Sequence, residues 1–391
     1  MTTGLTSRRG MLAGAALAIG LGTTVMTGCA SQSGGATAAA HGTATASACT
    51  AEAEKRYEAA ETVNVTDLGT LPTVPVDASK AAGKRVAILV GSLASPPNKQ
   101  DADQVQAALN LAKVQSTIFD TKDEVSLQEQ LFNQVIGQRY DAIYIFGINV
   151  TDMTAPIKAA KAAGIPVIAT SGYPNDPATY PPIADLYANV LNNDIGNSQL
   201  QADYALWKTN CTGPYALMTT DFGIFNVESK ATADEVAKVC PSCQLKEYQI
   251  NAVTNIVGNS RASALGALTA QPGLTAILSP DVFATYQIAA VHTAAGGKNV
   301  KFFTLEALPD VLPFVKTGQV TGDVQNYGDS AQCAWYVTDE ILRALTGGNA
   351  SDGVQVLPMA MVTQANLSQL PTFGAASAQL EVKYKKLWGL S

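Results

Sequence analysis

Histidine is almost missing from this chain. Of its 391 residues only two are histidine, His41 and His292. A Ser–His–Asp triad or a His-built zinc site has almost no material here, which weighs against an enzyme from the outset. His292 falls in the apolar helical stretch Thr285–Ala295, where core or surface duty is the plainer reading. Basic clusters are also scarce. Lys and Arg total 25 against 32 Asp and Glu, for a formal charge of −7. An acidic chain of this kind argues against a nucleic-acid partner. No GxSxG or GxGxxG signature occurs. Beyond the first 29 residues no long apolar run appears, so nothing further reads as a membrane span.

What is present starts at the N-terminus. Arg8 and Arg9 precede the uncharged stretch Met11–Val25, and Met26-Thr27-Gly28-Cys29 closes it with small residues before a thiol. The apolar run is too short for a comfortable span and reads as an export signal. The segment resembles the lipobox of bacterial lipoproteins. That resemblance implies cleavage before Cys29, lipidation of Cys29, and a chain anchored on the outer face of the cell membrane. Ser7-Arg8-Arg9-Gly10-Met11-Leu12 is similar to a twin-arginine signal, which adds export after folding as a route. An ordinary secreted protein cut elsewhere is the alternative. Residues 1–28 are thus expected as signal, and 29–56 as a lipidated tether whose Ser, Gly, Ala and Thr content over 30–51 reads as a flexible spacer. After that spacer the charged stretch Glu52–Glu61 reads as a short helix. Loss of Arg8 and Arg9 takes the charge from −7 to −9.

Six cysteines occur. Cys240-Pro241-Ser242-Cys243 is a CxxC between a helical and a strand pattern. In a reducing compartment it would signal redox chemistry or a metal. Outside the membrane, and with no second ligand pair in sight, a disulfide between Cys240 and Cys243 that pins a turn is the preferred reading. A thioredoxin-like role needs the CxxC to open a helix after a strand, whereas this one follows the helical stretch Ser229–Val239. Cys49 lies in the tether, and Cys211 and Cys333 have no assignable partner. No metal site and no cofactor are expected.

From Lys84 onward the pattern becomes regular. Arg85–Val90 is a continuous apolar run, as in a strand buried on both faces, and a helical pattern over Asp101–Ala112 follows it. Strands near 116–119, 142–146 and 167–169 alternate with helices near 127–136 and 153–163, the last ended by Gly164 with Pro166 beyond. The rhythm restarts after the polar stretch Tyr173–Asn197, with strands near 215–218, 244–249, 276–278, 301–304 and 320–324. Alternating strands and helices of about ten residues mean βαβ units and parallel sheets. The fold class is therefore α/β, with two doubly wound parallel-sheet lobes.

This pattern resembles the sugar-type (type I) periplasmic binding proteins of ABC importers, in an actinobacterial lipoprotein subgroup, over roughly residues 83–370. The resemblance is carried by Asp141–Ile145 with Ala163–Val167, Asn193-Asp194, Pro280-Asp281, Leu305–Pro309 through Gly318, and Asp323–Asn326. It implies an N-terminal lobe of 83–192 and 326–356, a C-terminal lobe of 193–325 and 357–391, and crossings near Asn193, Gln325 and Met359. It also implies a monomer that closes on one small solute and partners an ABC permease. In open α/β sheets ligands sit beyond the carboxyl ends of strands. Hydroxyl-rich solutes need amides and carboxylates, with aromatic faces for their C–H surfaces.

Strand-end positions that offer such groups are Ser92, Asn149, Ser171 and Tyr173 on the first lobe. On the second they are Asp221, Phe222, Asn226, Asp281 and Glu306, with Gln325 at the hinge. Asp281 also suits a helix N-cap, and Asp221 and Phe222 suit plain loop positions. Glu306 stands where the family has Asp, which leaves the sugar's identity open. A nucleoside or other polar solute is the nearest alternative, and a ligand-sensing surface lipoprotein is another. An Asp221/Asp281 carboxylate pair would be the starting point of an extracellular glycosidase, the least favoured reading.

Overall fold

The computed structural model describes residues 37–60, 71–170, 184–190, 194–220, 223–251, 256–279, 281–295, 300–305, 311–326, 330–351, 359–369 and 375–390. The expected signal, Cys29 and the first residues of the tether lie outside them. The chain divides into two compact units, Met1–Thr43 and Ala44–Ser391, and the architecture that follows is that of the second. Among the described residues no helix is long and apolar enough to cross a membrane.

Two sheets organise the molecule. The first has the order β2-β1-β3-β4-β5 and is wholly parallel, built from β1 (Arg85–Val90), β2 (Gln115–Asp120), β3 (Ala142–Phe146), β4 (Val167–Thr170) and β5 (Ala188–Val190). Its residues alternate strictly between two apolar layers. Val86, Ile88 and Val90 of β1 pack with Tyr144 and Ile168 beneath helices α2 (Pro96–Leu111), α10 (Ser330–Thr346) and α11 (Ala375–Leu387). Ala87 and Leu89 face the other way, with Ile143, Ile145, Val167 and Ala169, onto α3 (Val125–Gly137) and α4 (Thr154–Ala162). The period-two pleat thus turns a continuous apolar run into two cores. The edge strand β2 is the exception in burial: none of its residues is fully buried, although Ile118 and Phe119 pack partly against the two cores.

The second sheet has the order β11-β10-β9-β8-β6-β7. It comprises β6 (Tyr215–Thr220), β7 (Leu245–Ile250), β8 (Ala276–Ser279), β9 (Lys301–Leu305), β10 (Gly322–Asn326) and β11 (Met359–Val362). All its pairings are parallel except β10 with β11. Tyr215, Leu217, Leu278, Phe303 and Val324 pack toward α5 (Asp194–Lys208) and α6 (Gly223–Val239). Ala216, Met218, Ile277 and Phe302 pack toward α7 (Ile256–Ala270), α8 (Asp281–Ala295) and α9 (Leu312–Lys316).

Three expectations are corrected. The spacer expected over 30–51 is helical from its eighth residue on, because α1 spans Thr37–Ala60. Its alanines make it a good helix former, and the helix is not isolated. Ala53 and Tyr57 are buried against Tyr204 and Trp207 of α5, with Tyr57 ring centroids 5.0 Å and 5.3 Å from theirs. Cys211, read as lacking an assignable partner, is joined in a disulfide to Cys49, which was placed in the tether. The closing helix, expected on the C-terminal lobe, belongs to the N-terminal one. Leu380, Tyr384 and Trp388, spaced one turn apart, bury there, the Trp388 indole donates to Asp339 at 2.8 Å, and Val76 and Ala78 donate to the carbonyls of Leu387 and Trp388.

The described elements therefore pass between the lobes five times. They go from α1 to the first sheet, from β5 to α5, from β10 to α10, from α10 to β11, and from β11 to α11.

Candidate functional site

The carboxyl end of the first sheet is held together by backbone. Gly91, just past β1, donates to the Phe146 carbonyl at 2.9 Å, and its own carbonyl accepts from Thr121 Oγ1 at 2.8 Å and from Asp123 N at 2.6 Å. A Cβ on Gly91 would lie 2.0 Å from the Gly147 carbonyl oxygen, so only glycine lets β1 and β3 end this close. Gly147 has φ +65, and a Cβ there would meet the Asn98 side chain at 2.7 Å. Asp120 Oδ1 accepts from Leu93 N at 3.2 Å and Lys122 N at 3.0 Å, which fixes the loop that carries Ser92.

Ser92 is half-buried at this edge, and its Oγ accepts from Ala94 N at 3.3 Å. Asn149 is half-buried just beyond β3, with Nδ2 donating to Asp152 Oδ2 at 3.0 Å and Oδ1 accepting from Thr151 Oγ1 at 2.9 Å. Because β1 and β3 pair with Val90 opposite Phe146, these two residues emerge side by side. On the second sheet Asp281 is the first residue of α8 immediately after β8, and Gln325 lies in β10 opposite Ala360 of β11. Asn226 is exposed in the first turns of α6. Ser171, Tyr173, Asp221, Phe222 and Glu306 lie outside the described residues.

Several polar groups at these edges escaped the sequence reading. Asn98 and Asp123 flank the β1 loop. Asp123 has its carboxyl pushed up by burial and then by the charge of Asp120. Beneath them runs a buried chain in which the Tyr144 hydroxyl donates to Asp101 Oδ2 at 2.8 Å, sits 3.1 Å from Thr170 Oγ1, and Thr170 in turn lies 3.6 Å from Cys333 Sγ. Burial pushes the Asp101 carboxyl up to about 7 against the pull of the Tyr144 hydrogen bond, and holds the Tyr144 phenol well above its usual range. Thr170 is the last residue of β4, so this network ties α2, β3, β4 and α10 together directly under the strand ends. The signal available in sequence was a lone Asp on the helix face that buries, spaced to meet a strand tyrosine. In the second lobe Gln201 of α5 donates to the Ser279 carbonyl at 3.3 Å and so steadies the strand end that leads to Asp281.

Chemically, the described edges offer hydroxyl, amide and carboxylate groups without a histidine. Such a set binds polar solutes through hydrogen bonds.

A family model described as "Periplasmic binding protein domain" matches residues 86–347. No curated protein matches the chain. Among solved structures, similar ones include an ABC transporter solute-binding protein from Burkholderia graminis in complex with D-arabinose, with TM-score 0.62 and 17% identity over 74% of this chain and 98% of that one. Another is an ABC transporter solute-binding protein from Bacillus halodurans with bound myo-inositol, with TM-score 0.63 and 17% identity over 74% of this chain and 97% of that one. A third is the periplasmic binding protein component of the arabinose ABC transporter from Shewanella sp. ANA-3, bound to L-arabinofuranose, with TM-score 0.63 and 18% identity over 78% of this chain and 98% of that one.

Proposed function

The chain belongs to the periplasmic binding protein domain family and has its type I fold of two α/β lobes, and on that premise we propose that it is an extracytoplasmic solute-binding lipoprotein. It takes up a carbohydrate between its lobes and delivers it to an ABC permease, as a monomer and without turnover. The observation that carries this reading is the alignment of polar groups with strand ends. Ser92 and Asn149 follow β1 and β3, Asp281 follows β8, and Gln325 stands near the end of β10. That is where doubly wound sheets bind ligands. Repeated passage of the chain between lobes makes closure close to a rigid rotation about a fixed hinge.

Carbohydrate is the favoured solute class on two grounds. The available groups are hydrogen-bonding and uncharged or carboxylate, which suits hydroxyls. The similar solved structures hold D-arabinose, myo-inositol and L-arabinofuranose, all of them small polyhydroxylated molecules. Anchoring through Cys29 on the outer face of the membrane follows from the lipobox-like segment, with export by the twin-arginine or the general route.

A thermal-shift screen of the chain without its first 29 residues, against monosaccharides, disaccharides, polyols and nucleosides, tests the proposal. A ligand that binds only the folded state adds about 2.7 kcal/mol at a hundredfold excess over Kd, which is a visible shift. A shift with one sugar class is the expected result. A shift with a nucleoside alone would keep solute binding and replace the solute class, and silence across the panel would overturn the carbohydrate reading.

A further inference from the structure

Two disulfides stand side by side on the second lobe. Cys49–Cys211 joins α1 to the turn after α5 across 162 positions, and Cys240–Cys243 closes a turn at the end of α6 across 3. Cys240 Sγ lies within 4.8 Å of both Cys49 Sγ and Cys211 Sγ. The fold thus sets a third sulfur against a bond in which it takes no part. Cys333 belongs elsewhere, in the core of the first lobe.

We propose that the two disulfides form one exchange unit that works as a redox latch on α1. Two-electron reduction leaves a single Cys211–Cys240 disulfide, with Cys49 and Cys243 as thiols, and so unlatches α1. The inference does not depend on the solute-binding reading. Thiol–disulfide exchange needs a thiolate that reaches a disulfide sulfur. Holding both in one cluster makes the step unimolecular.

Burial decides which sulfurs stay bonded. Cys211 and Cys240 are buried, whereas Cys49 and Cys243 are half-buried. A reductant therefore reaches one sulfur of each bond and expels a buried one. Cys211 and Cys240 also follow the C-terminal ends of α5 and α6, where partial negative charge opposes a thiolate. The exchange that joins these two sulfurs moves the thiolates to positions that water reaches.

The steps balance with a small dithiol as reductant. One of its thiolates attacks Cys243 Sγ and expels Cys240, and its second thiol then displaces Cys243. The reductant leaves as a cyclic disulfide, having given up two electrons and two protons. The Cys240 thiolate attacks Cys211 Sγ. The Cys211–Cys240 bond forms, the Cys49–Cys211 bond breaks, and Cys49 leaves with the electron pair and takes a proton from solvent. Entry at Cys49 converges on the same product, because the expelled Cys211 attacks Cys240 and releases Cys243. Ala53 and Tyr57, one and two turns beyond Cys49, remain packed on the lobe, and Arg56 remains paired with Glu235. Release therefore frees the part of α1 around Cys49.

The test uses the chain without its first 29 residues, which keeps the whole compact unit Ala44–Ser391. It is treated with one equivalent of dithiothreitol at mildly alkaline pH, quenched with acid, alkylated and mapped by tryptic digestion. Cleavage at Lys and Arg puts Cys49, Cys211 and the Cys240/Cys243 pair on three separate peptides, and fragmentation separates Cys240 from Cys243. The expected product is a Cys211–Cys240 link with Cys49 and Cys243 alkylated. Hydrogen exchange over residues 44–52 should quicken at least roughly tenfold, while residues 53–60 keep their protection. Cys243→Ser should show Cys211–Cys240 as its main link without any reductant, and the wild-type map decides the matter if that variant does not fold. An intact Cys49–Cys211 bond beside alkylated Cys240 and Cys243 would overturn the proposal. So would an intact Cys240–Cys243 bond beside alkylated Cys49 and Cys211, a Cys49–Cys240 link, or unchanged hydrogen exchange in chains that carry the Cys211–Cys240 link.

Discussion

Cys49 is bonded to Cys211 across 162 positions of sequence, and the bond fastens the N-terminal helix to the lobe that begins far downstream. Beside it Arg56 of the same helix reaches Glu235 and Asp203, both buried carboxylates of the C-terminal lobe. Ring packing of Tyr57 on Tyr204 and Trp207 completes the attachment. From Cys49 to Tyr57, what looks like a tether in sequence is a structural element of the second lobe.

The two disulfides differ in expected worth. In the chain-entropy model the long Cys49–Cys211 loop contributes about 5 kcal/mol and the four-residue Cys240–Cys243 loop about 2 kcal/mol. Replacing Cys49 and Cys211 with Ser should therefore lower unfolding free energy by more than replacing Cys240 and Cys243. Denaturant melts of the two double variants under oxidising conditions check the order.

Arg56→Met should destabilise by about 1–3 kcal/mol near neutral pH, because it leaves Asp203 and Glu235 buried beside each other with the exposed Lys238 as their remaining cation. Burial, and next the charge of Glu235, already pushes Asp203 up to about 7. Protonation of Asp203 below that value removes the repulsion, so the loss should shrink as pH falls. Melts of both chains across that range measure it.

Asp101 sets a second pH dependence. Its carboxyl titrates near 7 in the fold against an ordinary value of 3.8. Between those values the folded chain holds the extra proton, so stability falls as pH rises through the window and levels off above it. Asp101→Asn keeps an acceptor for the Tyr144 hydroxyl and removes the charge. From about pH 5 to about pH 8 the wild type should lose on the order of 2 kcal/mol more than the variant.

Gly91→Ala should be severe for so small a change. The added methyl would press into the Gly147 carbonyl and the Asp123 carboxylate, and backbone on that side cannot yield without parting β1 from β3. A loss of about 2–4 kcal/mol is expected, together with weakened solute binding, measured by denaturant melts and titration.

Much of the fold was legible because its signals are local. Arg85–Val90 declares a doubly buried strand by composition alone, and Gly164 with Pro166 declares where α4 stops. The misplaced elements depended on non-local facts. Nothing in Leu380, Tyr384 and Trp388 says which lobe their stripe will cover, and helical spacing fits either. Cysteine pairing is likewise undetermined by spacing, so Cys49 and Cys211 could be joined only in three dimensions. The alanine-rich start of α1 satisfies both a spacer and a helix, and burial of Ala53 and Tyr57 decides it. The candidate site was legible at strand ends such as Ser92 and Asp281, where the topology rule applies. Asn98, Asp101 and Asp123 were not, because they reach the edge from helices and a neighbouring loop.

The most direct test of the central claim is calorimetric titration of the best carbohydrate from the screen into wild type, Asp281→Ala and Gln325→Ala. The account predicts one solute per wild-type chain and at least roughly tenfold weaker binding in each variant, the cost of one lost hydrogen bond to a buried polar ligand. Tight binding of unchanged affinity in both variants would contradict it, because the solute would then lie away from the carboxyl ends of β8 and β10.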